Sequence, residues 1–291
     1  MFNKLCIVGV GLIGGSVASA ARKRRLCRQI VALGRREDLE NLQRARQLGI
    51  IDAYHFDAGS AVQNADYIVI ATPVGAIEVV LAELEKHWSD TAIYTDTGST
   101  KGSVITAAKK VFGKVPANFV PAHPIAGSEN SGVDAADPDL FQDKRLIITP
   151  LPDNSLQALT AVQEFWEQLG SSVASMQAGH HDAVLAATSH IPHILAFSLV
   201  EMLGKKDEQI EIFQYAAGGF KDFTRIASSD PTMWRDICLA NSQEIVPLLE
   251  ELQDRLAGIV QMLENQDSGT LFELFTYANQ ARQRFLDQIE K

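Results

Sequence analysis

The glycine spacing Gly9-x-Gly11-x-x-Gly14 constrains this chain more than any other feature. It follows the apolar run Leu5-Cys6-Ile7-Val8 and opens a helical stretch over residues 15–25. A glycine turn between a buried strand and a helix is the arrangement that holds a dinucleotide. The first glycine permits the tight turn, the second lets backbone approach a pyrophosphate, and the third lets helix and strand pack closely. The pyrophosphate then rests on helix N–H groups at the positive end of the dipole. Gly9, Gly11, Leu12, Ile13 and Gly14 are therefore candidate cofactor contacts. A glycine-rich turn without a ligand is the plain alternative.

Further apolar runs at residues 30–33, 67–71, 92–96, 119–121, 145–150 and 171–176 alternate with helical patterns at 39–48 and 77–84. Continuous apolar strands alternating with helices predict an α/β fold, a Rossmann-type doubly wound and mainly parallel sheet covered on both faces. The alternation stops near Met176. From Gln177 onward only helical periodicity is present, as in Ile245, Leu248, Leu249 and Leu252. The expectation is a dinucleotide-binding domain over 1–176 and an all-helical domain over 177–291. Pro192 and Pro247 should each sit in a first turn or mark a kink.

The formal charge of −10 argues against nucleic acid or an anionic membrane surface as partner, since both reward a basic face. The cluster Arg22-Lys23-Arg24-Arg25 reads as the solvated C-terminal end of the first helix. Cys6, Cys27 and Cys238 show no paired spacing, which fits a reducing compartment. No signal-peptide pattern opens the sequence, and no apolar run approaches the roughly 20 residues of a membrane span. A cytoplasmic protein is expected.

The end of the second strand carries information about the cofactor. An enzyme for NAD usually places Asp or Glu there, to bind the ribose hydroxyls. This chain has Leu33-Gly34-Arg35-Arg36. A carboxylate would repel a 2′-phosphate, whereas arginine can bind one bidentately. NADP is therefore expected over NAD, with Gly34, Arg35 and Arg36 as contacts. The alternative is that both arginines belong to a solvated helix start. Thr72-Pro73, which halts the 67–71 strand, completes the candidate cofactor set.

Three polar clusters remain: Asp96-Thr97-Gly98-Ser99-Thr100-Lys101-Gly102, His123-Pro124-Ile125-Ala126-Gly127-Ser128-Glu129, and Ser189-His190-Ile191-Pro192-His193. The first two follow strands, and open α/β sheets bind ligands beyond the carboxyl ends of their strands. A pocket beside the helical domain would collect all three.

With Gly218-Gly219-Phe220-Lys221-Asp222-Phe223-Thr224-Arg225-Ile226-Ala227 added, these motifs occur in an order that strongly resembles the prephenate/arogenate (cyclohexadienyl) dehydrogenases of tyrosine biosynthesis. The resemblance covers nearly the whole chain, and His-Pro-Ile-Ala-Gly is its most specific part. It implies oxidative decarboxylation of prephenate to 4-hydroxyphenylpyruvate, or of arogenate to tyrosine, and a homodimer formed through the helical domain. It implies His123 as the group that accepts the substrate hydroxyl proton and Ser99 as the serine that orients it. Histidine suits that task, with an unperturbed pKa of about 6.5. Arg225 matches the arginine that binds a substrate carboxylate; its alternative is a salt bridge to Asp222. Ser128, Glu129, Ser189, His190 and His193 resemble further substrate-binding residues. Trp234 is either a pocket wall or a core residue.

His180, His181, His190 and His193 raise a metal reading, but no carboxylate or cysteine set completes a site, and no metal is expected. A β-hydroxyacid dehydrogenase would need a catalytic lysine in the helical domain. Lys205, Lys206 and Lys221 are available, but their surroundings do not suggest that site, and this reading leaves His123 without a purpose. A non-catalytic NADP-binding protein would need neither Ser99 nor His123.

Overall fold

A computed structural model describes residues 2–289. The chain divides into two units, residues 1–242 and 243–291. In the first unit, strands and helices alternate as β1 (Phe2–Val8), α1 (Leu12–Lys23), β2 (Cys27–Leu33), α2 (Leu39–Gln47), β3 (Ala53–His55), α3 (Ala58–Val62), β4 (Tyr67–Ile70), α4 (Ile77–Glu85), β5 (Ile93–Asp96), α5 (Lys101–Phe112) and β6 (Phe119–Val120). These six strands form one parallel sheet in the order β3-β2-β1-β4-β5-β6.

The β1 sequence shows why the sheet is covered on both sides. Side chains alternate across a strand. Leu5 and Ile7 join one buried cluster, with Val17 and Ala21 of α1. Cys6 and Val8 join a second, with Leu81 of α4 and Val104 of α5. Burial pushes the Cys6 thiol up to about 12, so it is an inert core group.

Parallel register then sets the site. Val8 pairs with Leu33 and with Ile70, and Ile70 pairs with Asp96. The residues that follow these positions therefore leave one edge of the sheet together: the glycine turn, Gly34-Arg35, Thr72-Pro73 and Thr97-Gly98-Ser99.

The chain continues as β7 (Ala122–Pro124), β8 (Arg145–Ile148), α6 (Leu156–Gln168) and β9 (Ser172–Ser175). These strands form a separate sheet, β7-β8-β9, antiparallel at the first pair and parallel at the second. Periodicity locates the 145–150 and 171–176 strands but not this division. It also misses β3 and β7, which are only three residues each. His123, expected in a loop after a strand, lies inside β7 opposite Ile147.

Helices follow: α7 (Ala178–Leu185), a π-helical turn (Ala186–His190), α8 (Ile191–Ile210), α9 (Gly218–Thr224) and α10 (Pro231–Ala240). Pro192 sits at the start of α8, directly after the π turn, as its missing N–H favours. The run Ala178–Asp207 is long and apolar enough to cross a membrane by length and composition, contrary to the sequence expectation. His181, Asp182 and His190 on it are buried polar groups bonded to neighbouring protein, although most of the apolar window itself is not buried. In the second unit α11 (Ser242–Glu264, entering from the last residue of the first unit) and α12 (Ser268–Ile289) are the two elements. Pro247 lies inside α11, beyond its first turn.

Lys101, at the start of α5, is fully buried against Asp96, Nζ to Oδ2 2.5 Å, and donates to the Ala122 carbonyl at 2.6 Å. It bolts the end of β5 to the start of β7. Lys101→Met should leave Asp96 charged and uncompensated, at a cost of about 3–5 kcal/mol. Urea unfolding of the purified variant measures this.

Candidate active site

The glycine turn has the shape its spacing predicts. Gly9 has φ +88°, and a Cβ there would meet Thr72 Cγ2 at 2.9 Å and the Ala71 carbonyl at 3.0 Å. A Cβ on Gly14 would lie 2.0 Å from the Gly9 carbonyl oxygen. A Cβ on Gly11 would meet nothing within 4 Å. Gly9 and Gly14 thus serve the turn itself, while Gly11 borders open space. Gly11 also precedes α1 without any side-chain cap, so the first N–H groups of a 12-residue helix are left for a ligand. Leu12 and Ile13 form its first turn. Beside it the buried Thr72 hydroxyl has no hydrogen-bond partner among the described residues. A backbone cradle, a free helix N-terminus and an orphan hydroxyl fit a dinucleotide pyrophosphate.

At the end of β2, a Cβ on Gly34 would meet Leu42 Cδ1 at 2.9 Å, so packing of α2 accounts for the missing side chain. Arg35 is held bidentately by Asp38, Nε to Oδ2 and Nη2 to Oδ1 both 3.0 Å. Arg36 lies over the Phe56 ring at 5.3 Å.

His123 is buried on β7. Its Nδ1 lies 2.9 Å from Nε2 of His181, whose Nδ1 lies 2.7 Å from Asp182 Oδ1. Asp182 in turn accepts from the backbone N–H groups of Lys101 and Gly102, each at 2.7 Å. Burial works against the Asp182 carboxylate. Its bonds from His181, Lys101 and Gly102 outweigh that and hold it below the usual carboxylate range. Burial, with His181, Lys101 and His190 adding to it, holds His123 well below 6.5. His123 is therefore a neutral imidazole at pH 7, able to accept a proton.

Ser99 is half-buried just before α5, but no hydrogen bond joins it to His123 among the described residues. The partner of His123 is His181. The bond from Ser99 that the resemblance implies is absent among the described residues, and His123 Nδ1 faces α7.

The π turn and α8 supply the next group. Asn241 Nδ2 donates to the Asp182 carbonyl at 2.9 Å and faces His190 Nδ1 at 3.1 Å. His190 Nδ1 is then the acceptor, leaving Nε2–H as a donor. Burial pushes His190 down to about 4, with Asp182 opposing. His193 Nδ1 faces the Ser189 carbonyl at 2.9 Å, which fixes Nδ1–H and leaves Nε2 as an acceptor. Burial also lowers His193. The His193 ring stacks on Trp234, centroids 3.6 Å apart and planes at 20°. Trp234 is buried as a core residue, and its Nε1–H has no hydrogen-bond partner among the described residues.

Arg225 pairs with Glu129 at 3.1 Å rather than with Asp222. The turn that carries Arg225 (Arg225–Ser228) packs on α8. Ser128 lies exposed beside Glu129, where its hydroxyl accepts from Asn130 N–H at 3.3 Å. His180 is exposed and outside the group. Among the described residues no cluster of His, Cys, Asp and Glu has the arrangement of a metal site. His181, Asp182 and Asn241 escape sequence reasoning. Their partners lie 58, 81 and 59 residues away, beyond any local pattern.

Comparison with known proteins decides the family. The prephenate dehydrogenase nucleotide-binding domain matches residues 18–175, and the prephenate dehydrogenase dimerization domain matches residues 177–277. The chain belongs to the prephenate dehydrogenase family. It is 37% identical to a cyclohexadienyl dehydrogenase of Zymomonas mobilis, over 97% of this chain and 96% of that protein. It is 36% identical to a prephenate dehydrogenase of Bacillus subtilis, over 97% of this chain and 76% of that one. Among solved structures, the prephenate dehydrogenase of Aquifex aeolicus in complex with hydroxyphenyl propionate and NAD+ superposes with a TM-score of 0.90 at 32% identity, covering 98% of this chain and 99% of that one. The matched nucleotide-binding domain begins within the first helix after the glycine turn and agrees with a nucleotide site there.

The glycines separate binding from folding. Gly11→Ala should keep the thermal midpoint near wild type and weaken cofactor binding, because its methyl group enters only the space left for the ligand. Gly14→Ala should lower the midpoint, because its methyl group meets backbone. Differential scanning fluorimetry and cofactor titration of both variants test this.

Proposed function

We propose that this protein catalyses the oxidative decarboxylation of prephenate to 4-hydroxyphenylpyruvate, of arogenate to tyrosine, or of both. The observation that carries the reading is His123, a buried neutral imidazole at the carboxyl edge of the Rossmann sheet in a chain of this family. The dinucleotide, when bound, supplies the hydride acceptor. His123 Nε2 takes the proton from the ring hydroxyl as the carbon bearing it loses hydride. The bond to the ring carboxylate then breaks, its electron pair passes through the ring to the new carbonyl oxygen, carbon dioxide leaves, and that oxygen takes back the proton from His123 as the ring becomes aromatic. Ser99, before the start of α5, is the second hydroxyl-directed group.

The substrate is an anion, and burial lowers His123, His190 and His193 alike. Arg225 therefore carries the positive charge for a side-chain carboxylate, which must join or displace Glu129 at its guanidinium. Ser128, Ser189, His190 and His193 supply neutral donors and acceptors around it. His123→Asn should lower kcat by about 10²–10⁴-fold, the usual worth of general acid–base catalysis. Arg225→Gln should mainly raise KM, since it removes a contact made before and during reaction. Steady-state kinetics reads both. Wild-type turnover by the His123 variant would remove that residue from the mechanism.

NADP is the favoured cofactor in this reading. Position 34 carries no carboxylate, and Arg35 and Arg36 stand at the end of β2. A 2′-phosphate must compete with Asp38 for Arg35. Prephenate and arogenate, each crossed with NAD and NADP, form the deciding assay. A lower KM for NADP is expected, and a clear preference for NAD would overturn this assignment.

We assign residues 1–176 to dinucleotide binding and 177–291 to substrate binding and association. In the second unit Leu256, Val260 and Leu263 of α11 and Phe272, Phe275 and Phe285 of α12 are large, apolar and exposed. A second copy of the chain is the partner that the family's dimerization domain supplies for such surface. Sedimentation equilibrium should give about twice the 31.8 kDa chain mass.

A further inference from the structure

We propose that His181 and Asp182 are positioning residues that set the tautomer of His123, leaving its Nε2 lone pair free for the substrate. The proposal rests on the reading of His123 as the proton acceptor and assigns the groups behind it.

The argument is one of donors and acceptors. A carboxylate only accepts, so the 2.7 Å contact between Asp182 Oδ1 and His181 Nδ1 places a proton on that nitrogen. A neutral imidazole with Nδ1–H has its lone pair on Nε2. That lone pair faces His123 Nδ1 at 2.9 Å, so His123 Nδ1 carries the proton and donates. His123 Nε2 is then the unprotonated nitrogen, and it makes no hydrogen bond to any described residue. The proposed proton order runs from Asp182 outward, with His181 as the neutral imidazole between the carboxylate and His123.

Three features give the series its rigidity. His181 is fully buried, and its ring meets that of His123 edge-on, centroids 5.1 Å apart and planes at 66°. Asp182 is anchored through both oxygens by the N–H groups of Lys101 and Gly102 at the start of α5. A Cβ on Gly102 would lie 2.9 Å from Asp182 Oδ2, so position 102 leaves room for the carboxylate to reach the helix. A carboxylate that orients an imidazole and stabilises the imidazolium formed in reaction is the division of labour of a Ser–His–Asp triad. Here a second imidazole stands between the carboxylate and the reacting ring. When His123 Nε2 takes a proton, its Nδ1–H bond to His181 strengthens, and the Asp182 charge at the far end favours the cation. No proton need leave Nδ1.

Nitrogen chemical shifts of ¹⁵N-histidine-labelled wild-type protein at pH 7.5 read the tautomer directly, with the His123 signals assigned by their loss in His123→Asn. Protonated Nδ1 and bare Nε2 on His123 are expected; protonated Nε2 would overturn the proposal. Kinetics supply the second arm. His181→Phe removes the acceptor and should lower kcat by about 10²-fold, within the range of general-base catalysis. KM and the cofactor dissociation constant should stay within about threefold of wild type. His181→Gln, whose amide oxygen can accept from Nδ1–H, should recover about tenfold of that loss. A His181→Phe variant with wild-type kcat, or an equal loss in both variants, would overturn the proposal. If His181→Phe does not fold, the wild-type spectrum still decides. If the protein oxidises neither prephenate nor arogenate, the functional reading fails, and the tautomer measured on the resting protein still tests the relay.

Discussion

The Asp182 carboxylate holds the site together. Burying an ionised carboxylate costs several kcal/mol unless its oxygens are satisfied. Three donors do so here, two N–H groups at the start of α5 and Nδ1–H of His181. One residue thereby fixes α7 to the helix that follows β5. The Asp182 carbonyl takes a further bond from Asn241, at the end of α10. Asn241 also holds His190, so three elements distant in sequence are referred to one position. The glycine turn is set by the β1 register and the histidine cluster by Asp182.

Burial lowers His123, His190 and His193, and neutrality gives each of the three a direction. His123 Nε2 and His193 Nε2 are left as acceptors, and His190 Nε2–H as a donor. Such a set reads the hydroxyl and carbonyl groups of a ligand but does not neutralise its charge. In the proposed function that task falls to Arg225. Its bond to Glu129 is solvent-exposed, and exposed ion pairs contribute about 0–1 kcal/mol. A ligand carboxylate therefore displaces Glu129 at small cost, whereas displacing Asp96 from buried Lys101 would be prohibitive. The contrast separates the cation available for binding from the one committed to the fold.

The parallel sheet was legible because its central strands are buried on both faces and read as apolar runs, with the glycine turn directly after the first. β3 and β7 were not, since three residues are too few for periodicity. The division into two sheets follows from the pairing of β7 with Arg145–Ile148, far along the chain, which no local pattern reveals. The residues proposed to carry chemistry sit in compact motifs, as His123, His190 and His193 do, and were visible as candidates for that reason. The groups behind them were not. His181 reads equally well as a helix-start histidine, a metal ligand or a relay, and only its contacts with His123 and Asp182 separate these.

Gly34 shows how one sequence observation can have two causes. Read alone, a missing carboxylate at the end of β2 argues for a phosphate on the ribose. In the fold, a side chain at that position would run into Leu42, so close packing of α2 already calls for glycine. The cofactor argument therefore moves to the arginines. Arg35 is tied to Asp38 through both ends of its guanidinium, while Arg36 lies over Phe56. A phosphate at Arg35 would have Asp38 three residues away as a like-charged neighbour, which costs affinity unless the carboxylate swings out toward solvent. Asp38, rather than the absent carboxylate at 34, is the group against which any preference between the two dinucleotides has to be set.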